Sequence, residues 1–253
     1  MRVATHTAKG STRERNQDSL AVEHLVSGYY LAAVADGIGG LISGEVASEL
    51  AVASVAAKLR EFLKDEMDHG NEMRCLEASV GWANEFIYLK GFNKYGEPCM
   101  GTTLTAALIK GEHVWLAHVG DSRAYLVSGN EISQLTQDHS IVGEMVKNGN
   151  LTERQAMHHP KKNLLTNSVG THRALRLDLT ELQAKPGDIL ILCTDGLTTA
   201  VESVDIPAVT TLYASEEKFP ELAKALGELA VKNGATDDVT VVAVWLGKEG
   251  DTA

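Results

Sequence analysis

The sequence predicts an α+β fold in which antiparallel sheets carry helices on their outer sides. Three observations predict it. Apolar runs of strand length come in clusters and do not alternate one by one with helices. Two long helical patterns follow one another directly, and four of the strand-like runs are bounded by acids.

In chain order, residues 29–35 form the first apolar run, which stops at Asp36-Gly37. Residues 45–64 then set Val52, Val55, Ala56, Leu59 and Leu63 on one stripe, the spacing of an amphipathic helix. A second helix over 73–89 repeats that spacing with Met73, Leu76, Val80, Ala83 and Ile87, and Gly91 reads as its stop. Residues 101–110 and 114–119 read as paired strands, the second ending at Gly120-Asp121. Ser128-Gly129-Asn130 turns the chain into 131–135. From 140 to 167 the pattern breaks into short helical pieces, with Thr152 and Gln155 spaced as a capping box and Gly149 as a stop. This segment reads as an appended flap. Pro186-Gly187-Asp188 is a turn into the run 189–194, which stops at Asp195-Gly196. A helix over 220–232 ends at Gly234, and the last run, 239–246, starts just after Asp237-Asp238. No repeat or low-complexity linker interrupts the chain, so residues 1–253 read as one domain with the flap at about 140–167.

Composition narrows the function. Hydrophobic residues make up 44% and charged residues 23%, as in soluble globular proteins. A net charge of -11 disfavours nucleic acid and anionic membranes, which need Lys and Arg to displace counterions. Cys75, Cys99 and Cys193 are odd in number and lack zinc spacing, so neither disulfides nor zinc is expected. The polar start of the chain and the lack of any run near 20 apolar residues point to a cytoplasmic protein, expected as a single copy.

One Asp-Gly pair is usually a hairpin turn, but here the pattern repeats. Acids where several strands leave their sheets gather in one cleft and repel one another unless protons or cations neutralise them. Carboxylates with a backbone carbonyl beside glycine suit hard ions such as Mg2+ or Mn2+. Two such ions, roughly 3.5–4 Å apart, make a hydrolytic site, and phosphate monoesters are among the substrates that most need one. Near the start, Arg13 offers a planar fork for two phosphate oxygens, although a solvated charged segment is the plainer reading of those residues alone.

Eight stretches in fixed order carry a resemblance. They are GSTRERNQDS (10–19), VADGIGGLISGEVAS (34–48), GTT (101–103), HVGDSRAYL (118–126), LTQDHS (135–140), HPKKNLLTNSVG (159–170), PGDILILCTDGL (186–197) and GATDDVTVV (234–242). The chain resembles the metal-dependent PPM, or 2C-type, serine/threonine phosphatases in their compact bacterial form, from end to end. The resemblance implies a four-layer αββα sandwich of two antiparallel sheets flanked by helix pairs, with the metal site at one end. It implies hydrolysis of phosphoserine and phosphothreonine in proteins, the targets of a serine/threonine kinase, by water activated between two Mn2+ or Mg2+ ions. Residue by residue, it implies Asp36 as the bridge between the ions, the Gly37 carbonyl on one, and Asp195 with Asp237 on the second. Asp121 matches the acid for a third, weaker ion. Asp18 matches an acid that orients metal-bound water, and Arg13 the phosphate-binding arginine.

Departures from the family pattern fall at Ile38, where some eukaryotic relatives carry a candidate general-acid histidine, and at Leu41, a histidine in bacterial members. Asp238 stands in place of the usual Asn, and Asn167 where Arg is common. His139, His158, His159 and Cys193 read as structural. Basic Lys147, Arg154, Lys161 and Lys162 in the flap suit either phosphopeptide attraction or solvated surface. Two rivals are a binding module that has lost activity and a two-metal nuclease or nucleotide hydrolase. The intact acids argue against the first and the net charge against the second.

Overall fold

The computed structural model describes residues 1–39, 43–65, 67 and 70–247. Its strands are β1 (Arg2–Ala8), β2 (Asp18–His24), β3 (Tyr30–Asp36), β4 (Leu104–Lys110), β5 (His113–Val119), β6 (Arg123–Ser128), β7 (Glu131–Gln134), β8 (Asp178–Gln183), β9 (Ile189–Cys193) and β10 (Val239–Trp245). They pair antiparallel in two five-stranded sheets, ordered β1-β10-β9-β6-β7 and β2-β3-β4-β5-β8.

The unbroken apolar runs of β3 and β10 belong to strands covered on both faces. Leu31, Ala33 and Ala35 face the helices α1 (Gly44–Phe62) and α2 (Asn71–Tyr95), while Ala32 and Val34 face the other sheet. In β10, Val242 and Val244 meet them from across the interface, together with Leu190 and Leu192 of β9. Val241 and Ala243 point the opposite way, into a third apolar layer. The flap segment carries α3 (Ile141–Lys147) and α4 (Glu153–Met157). That third layer is roofed by α5 (Asp195–Thr198), α6 (Ile206–Tyr213) and α7 (Leu222–Lys232). The molecule is therefore the expected αββα sandwich, except that α6 and α7 share their face with the one-turn α5.

Three local expectations are corrected. The polar start of the chain forms an edge strand, β1, paired with β10 from Arg2↔Trp245 to Ala8↔Val239. Its alternation is that of a strand with one wet side: Ala4 is buried and Thr5 is exposed. Helix α2 does not stop at Gly91 but runs on to Tyr95. Gly91 is buried under Cys99 and Met100, whereas Gly96 has the left-handed φ of 81° that a helix stop uses, its N–H bonded to Phe92 at 2.8 Å. β4 begins only at Leu104, but residues 101–103 carry its antiparallel register on beside the end of β3, with Thr102 bridged to Gly37 and to Val169. The departure noted at Leu41 lies outside the described residues.

Antiparallel pairing decides where the acids fall. The start of β2, the end of β3, the end of β5, the start of β6, the end of β9 and the start of β10 all lie at one end of the sandwich. Among the described residues no helix is long and apolar enough to cross a membrane, and all three cysteines are free.

Candidate metal centre

Asp36 is the last residue of β3, directly opposite Asp18, the first of β2. Residues 101–103, paired alongside, clamp its backbone. Its N–H donates to Thr103 Oγ1 at 2.8 Å, and its carbonyl accepts from Thr102 Oγ1 and Thr103 N–H, both at 2.8 Å. Gly37 follows, its N–H bonded to the Gln17 carbonyl at 3.0 Å. A Cβ at Gly37 would lie 2.3 Å from the backbone of Gly44, so only glycine fits. Asp121 sits in the turn between β5 and β6, Asp195 opens α5, and Asp237 precedes β10.

These segments converge on a cleft of about 270 Å3, lined by Arg13, Asp36, Gly37, Asp121, Asp195 and Asp237. Ile38, Gly39, Thr103, Asn163 and Leu165 complete its wall. Asp18 stands behind it, accepting from Thr194 Oγ1 at 2.8 Å. Among the described residues no three acids are already closed into a ligand set, and Asp237 has both oxygens on Arg13.

The electrostatics are those of crowded buried carboxylates. Burial lifts Asp36 well above the usual range, and Asp18, Asp195, Asp121 and Asp237 lift it further. Asp18 is pushed up to about 7, mainly by burial, against the lowering hydrogen bonds of Thr240 and Thr194. Asp195 rises to about 6 through burial and Asp237, with Lys162 and Arg13 opposing. Asp121 is raised by burial, then by Asp195 and Asp138. Asp18 Oδ1 and Asp195 Oδ1 are buried without any hydrogen-bond partner. The donor set is oxygen only, negatively charged and short of donors, which fits hard divalent cations.

Arg13 reaches the cleft from the loop after β1. Its Nε and Nη2 donate to Asp237 at 2.7 and 2.8 Å, and Nη1 donates to Gln17 at 3.0 Å. The hydrogen bonds and charge of Asp237, with the charges of Asp36 and Asp238, hold the guanidinium well above its ordinary pKa. Asp238 faces away from this group: it is buried and accepts from the backbone N–H of Gly10 at 2.8 Å and of Gln17 at 2.7 Å. The acid in place of Asn thus ties the Arg13 loop down.

His139 is fully buried, its Nδ1 accepting from Gly120 N–H at 3.3 Å and Asn167 Nδ2 at 3.0 Å. Its Nε2 lies 3.1 Å from Asp178 Oδ2 without hydrogen-bond geometry. Asn167 also donates to the Arg176 carbonyl at 2.7 Å, so it braces the return from the flap. His159 accepts from the Lys161 N–H inside the flap. Cys193 is buried, which pushes its thiol up to about 12. None of the three histidines lines the cleft.

A model of the protein phosphatase 2C family matches residues 4–235. The chain belongs to the protein phosphatase 2C family. It is 36% identical over 248 residues to serine/threonine protein phosphatase PstP of Mycobacterium tuberculosis, covering 96% of this chain and 44% of that relative's length. It is 32% identical over 248 residues to serine/threonine phosphatase stp of Listeria welshimeri, with 96% and 95% covered. Among solved structures, the serine/threonine phosphatase of S. agalactiae superposes with a TM-score of 0.85 at 34% identity, covering 97% and 99% of the two chains. The catalytic domain of PstP in complex with two manganese ions superposes with a TM-score of 0.80 at 33% identity, covering 96% of each.

Several residues of this 2C-family cleft went unread in the sequence. Thr102 and Thr103 stood inside a recognised stretch, yet their clamp on Asp36 depends on residues 101–103 pairing alongside the end of β3. Gln17 carries no signal of its own beside Arg13. Asn163 and Leu165 enter the wall only because the flap folds back over the strand ends. Asp138 forms a buried pair with Arg123 at 2.7 and 2.8 Å under a second cavity of about 320 Å3 between flap and α5, which Asp121 and Asp195 also line.

Proposed function

We propose that this chain removes phosphate from phosphoserine and phosphothreonine side chains of other proteins, in a reaction that depends on Mn2+ or Mg2+. One observation carries the reading: acids from four distant segments and an anchored arginine line a single cleft. Asp36 would bridge two ions, with the Gly37 carbonyl on one and Asp195 and Asp237 on the other. Asp121 would hold a third, weaker ion. When bound, the cations supply Lewis-acid stabilisation of the phosphoryl group and a lowered pKa for attacking water. Cations also relieve the raised pKa of Asp36 and the orphaned oxygen of Asp195.

The chain's own residues supply the rest. Arg13, its Nη1 held by Gln17, would grip phosphate oxygens with the Nε and Nη2 that now lie on Asp237, once a cation takes that carboxylate. Asp18, fixed by Thr194, orients the water that serves the site. Asn163 and Leu165 bring the flap to the bound phosphoprotein, and Lys162 lowers the charge barrier to its approach. The excess negative charge of -11 disfavours nucleic acid as the phosphate source. The relation to phosphatases of M. tuberculosis and L. welshimeri, and the two manganese ions of a PstP structure, support the same reading.

The test is phosphate release from p-nitrophenyl phosphate and from a phosphothreonine peptide in Mn2+, Mg2+ or EDTA. Turnover is expected with the metals and none with EDTA. Asp36→Asn, Asp195→Asn and Asp237→Asn should each lower kcat by on the order of 10²–10³-fold or more. Clean protein without turnover would favour the inactive binding module, and preferential cleavage of nucleic acid the nuclease. Either result overturns the proposal.

A further inference from the structure

The second cavity adjoins the acidic cleft. It holds about 320 Å3 between the flap and the stretch from α5 to Val204, against about 270 Å3 for the cleft itself. The two share Asp121 and Asp195, and the flap wall passes from Lys162 in one to Asn163 in the other. Successive Cα atoms lie about 3.8 Å apart, so a chain seated with its phosphate in the cleft brings a residue one or two positions away to this cavity.

The charges that line the cavity are already engaged. Arg123 is held by Asp138 at 2.7 and 2.8 Å. Arg154 of α4 meets Glu202 at 3.7 Å, and the Ser203 hydroxyl donates to Glu153 at 3.3 Å, so two contacts tie the flap to the core on the solvent side. Lys162 extends its charge to Asp195, which with Asp121 belongs to the proposed metal ligands. The amides are engaged too, Gln134 donating to the Thr136 carbonyl at 2.8 Å and Gln137 to that of Gly143 at 3.3 Å. The rest of the wall is largely apolar: Val142 and Val146 of α3, Ala156 and Met157 of α4, then Val201 and Val204. Val201 is 1% exposed and Val204 70%, so this wall runs from the interior out to solvent. Such a lining accepts an apolar side chain and penalises a charged one, which would lose water without gaining a partner.

The geometry points to this cavity as a substrate subsite that takes an apolar side chain of the phosphoprotein, one or two residues from the phosphoserine or phosphothreonine. The assignment rests on the reading of the acidic cleft as a phosphatase site. Val201 and Val204 lie outside the eight stretches that carry the family resemblance, so those stretches do not fix this wall.

Initial rates in Mg2+ on phosphothreonine peptides test it, with Leu, Ala, Lys or Asp placed in turn at each position from two before to two after the phosphoresidue. At one position Leu should exceed Ala by roughly tenfold in kcat/KM, mostly through KM, and Lys and Asp should fall below Ala. Val204→Asp should bring the ratio of Leu to Ala close to one and set Lys above Leu at that same position. A damaged fold does not create a new preference, so this exchange reports contact with the peptide. Met157→Ser, on the flap side, should reduce the Leu preference without favouring Lys. p-Nitrophenyl phosphate reports the cleft alone. If neither it nor any peptide turns over, the phosphatase reading fails and the subsite with it. Turnover with no position that prefers Leu overturns the subsite alone, and so does a Leu preference that both variants leave unchanged.

Discussion

Asp237 and Asp238 are neighbours in the chain with different surroundings, one on the guanidinium of Arg13 in the cleft and the other on two backbone N–H groups, that of Gly10 buried and that of Gln17 part-buried. Asp238→Ala leaves those N–H groups without acceptors, at about 1–3 kcal/mol each, and should lower the urea midpoint while Mn2+ still binds in calorimetry. Asp237→Asn should do the reverse, keeping most of the stability and losing Mn2+ affinity. A result with the two variants exchanged would move the proposed ligand to Asp238. Arg13→Lys removes the bidentate fork and should raise KM for a phosphopeptide on the order of tenfold. At this scale the sequence was readable where a chemical type repeated in one context: Asp36, Asp195 and Asp237 each mark a strand terminus. It was silent where a role depends on which strands pair, as with Thr103, whose hydroxyl meets Asp36 from 67 positions away.

At the scale of elements, buried strands were legible and edge strands were not. β3, β9 and β10 announce themselves because both faces are dry, whereas β1 and β2 mix polar residues into their outer sides and present no unbroken apolar run to read. The capping box of α4 was readable because its chemistry is local: Thr152 Oγ1 accepts from the Gln155 N–H at 3.2 Å and Gln155 Oε1 accepts from the Thr152 N–H at 2.8 Å. The extent of α2 was not, since Gly91 serves packing and not termination. Asn84 of α2 shows what that helix supports. It accepts from the Gly170 N–H at 2.7 Å and donates to the carbonyls of His172 and Arg173 at 3.0 and 3.2 Å. Asn84→Ala should cost about 1–3 kcal/mol in denaturant unfolding and speed hydrogen exchange at Gly170, where the chain leaves the flap.

For the whole molecule, clustered carboxylates at one end of the sandwich set a pH dependence. Asp18 at about 7 and Asp195 at about 6 bind protons more tightly folded than unfolded. Their contribution to stability is therefore complete below the ordinary carboxylate pKa and lost as pH rises through about 6 to 7. Buried His118, lowered to about 4, acts oppositely, contributing above its ordinary 6.5 and losing that contribution as pH falls. The acids outnumber it, so the melting temperature of EDTA-treated protein should fall between pH 5.5 and 8. Mn2+ should raise it more at pH 8 than at pH 5.5. Asp18→Asn should flatten the EDTA profile, and a profile unchanged by that substitution would count against the raised carboxylate.

The convergence of those carboxylates on cations is tested most directly by anomalous diffraction at the manganese edge from crystals soaked in Mn2+. The account predicts two strong peaks in the cleft, bridged by Asp36 and ligated by the Gly37 carbonyl, Asp195 and Asp237, with any weaker third peak at Asp121. Peaks elsewhere, or none in the cleft at saturating Mn2+, would contradict it.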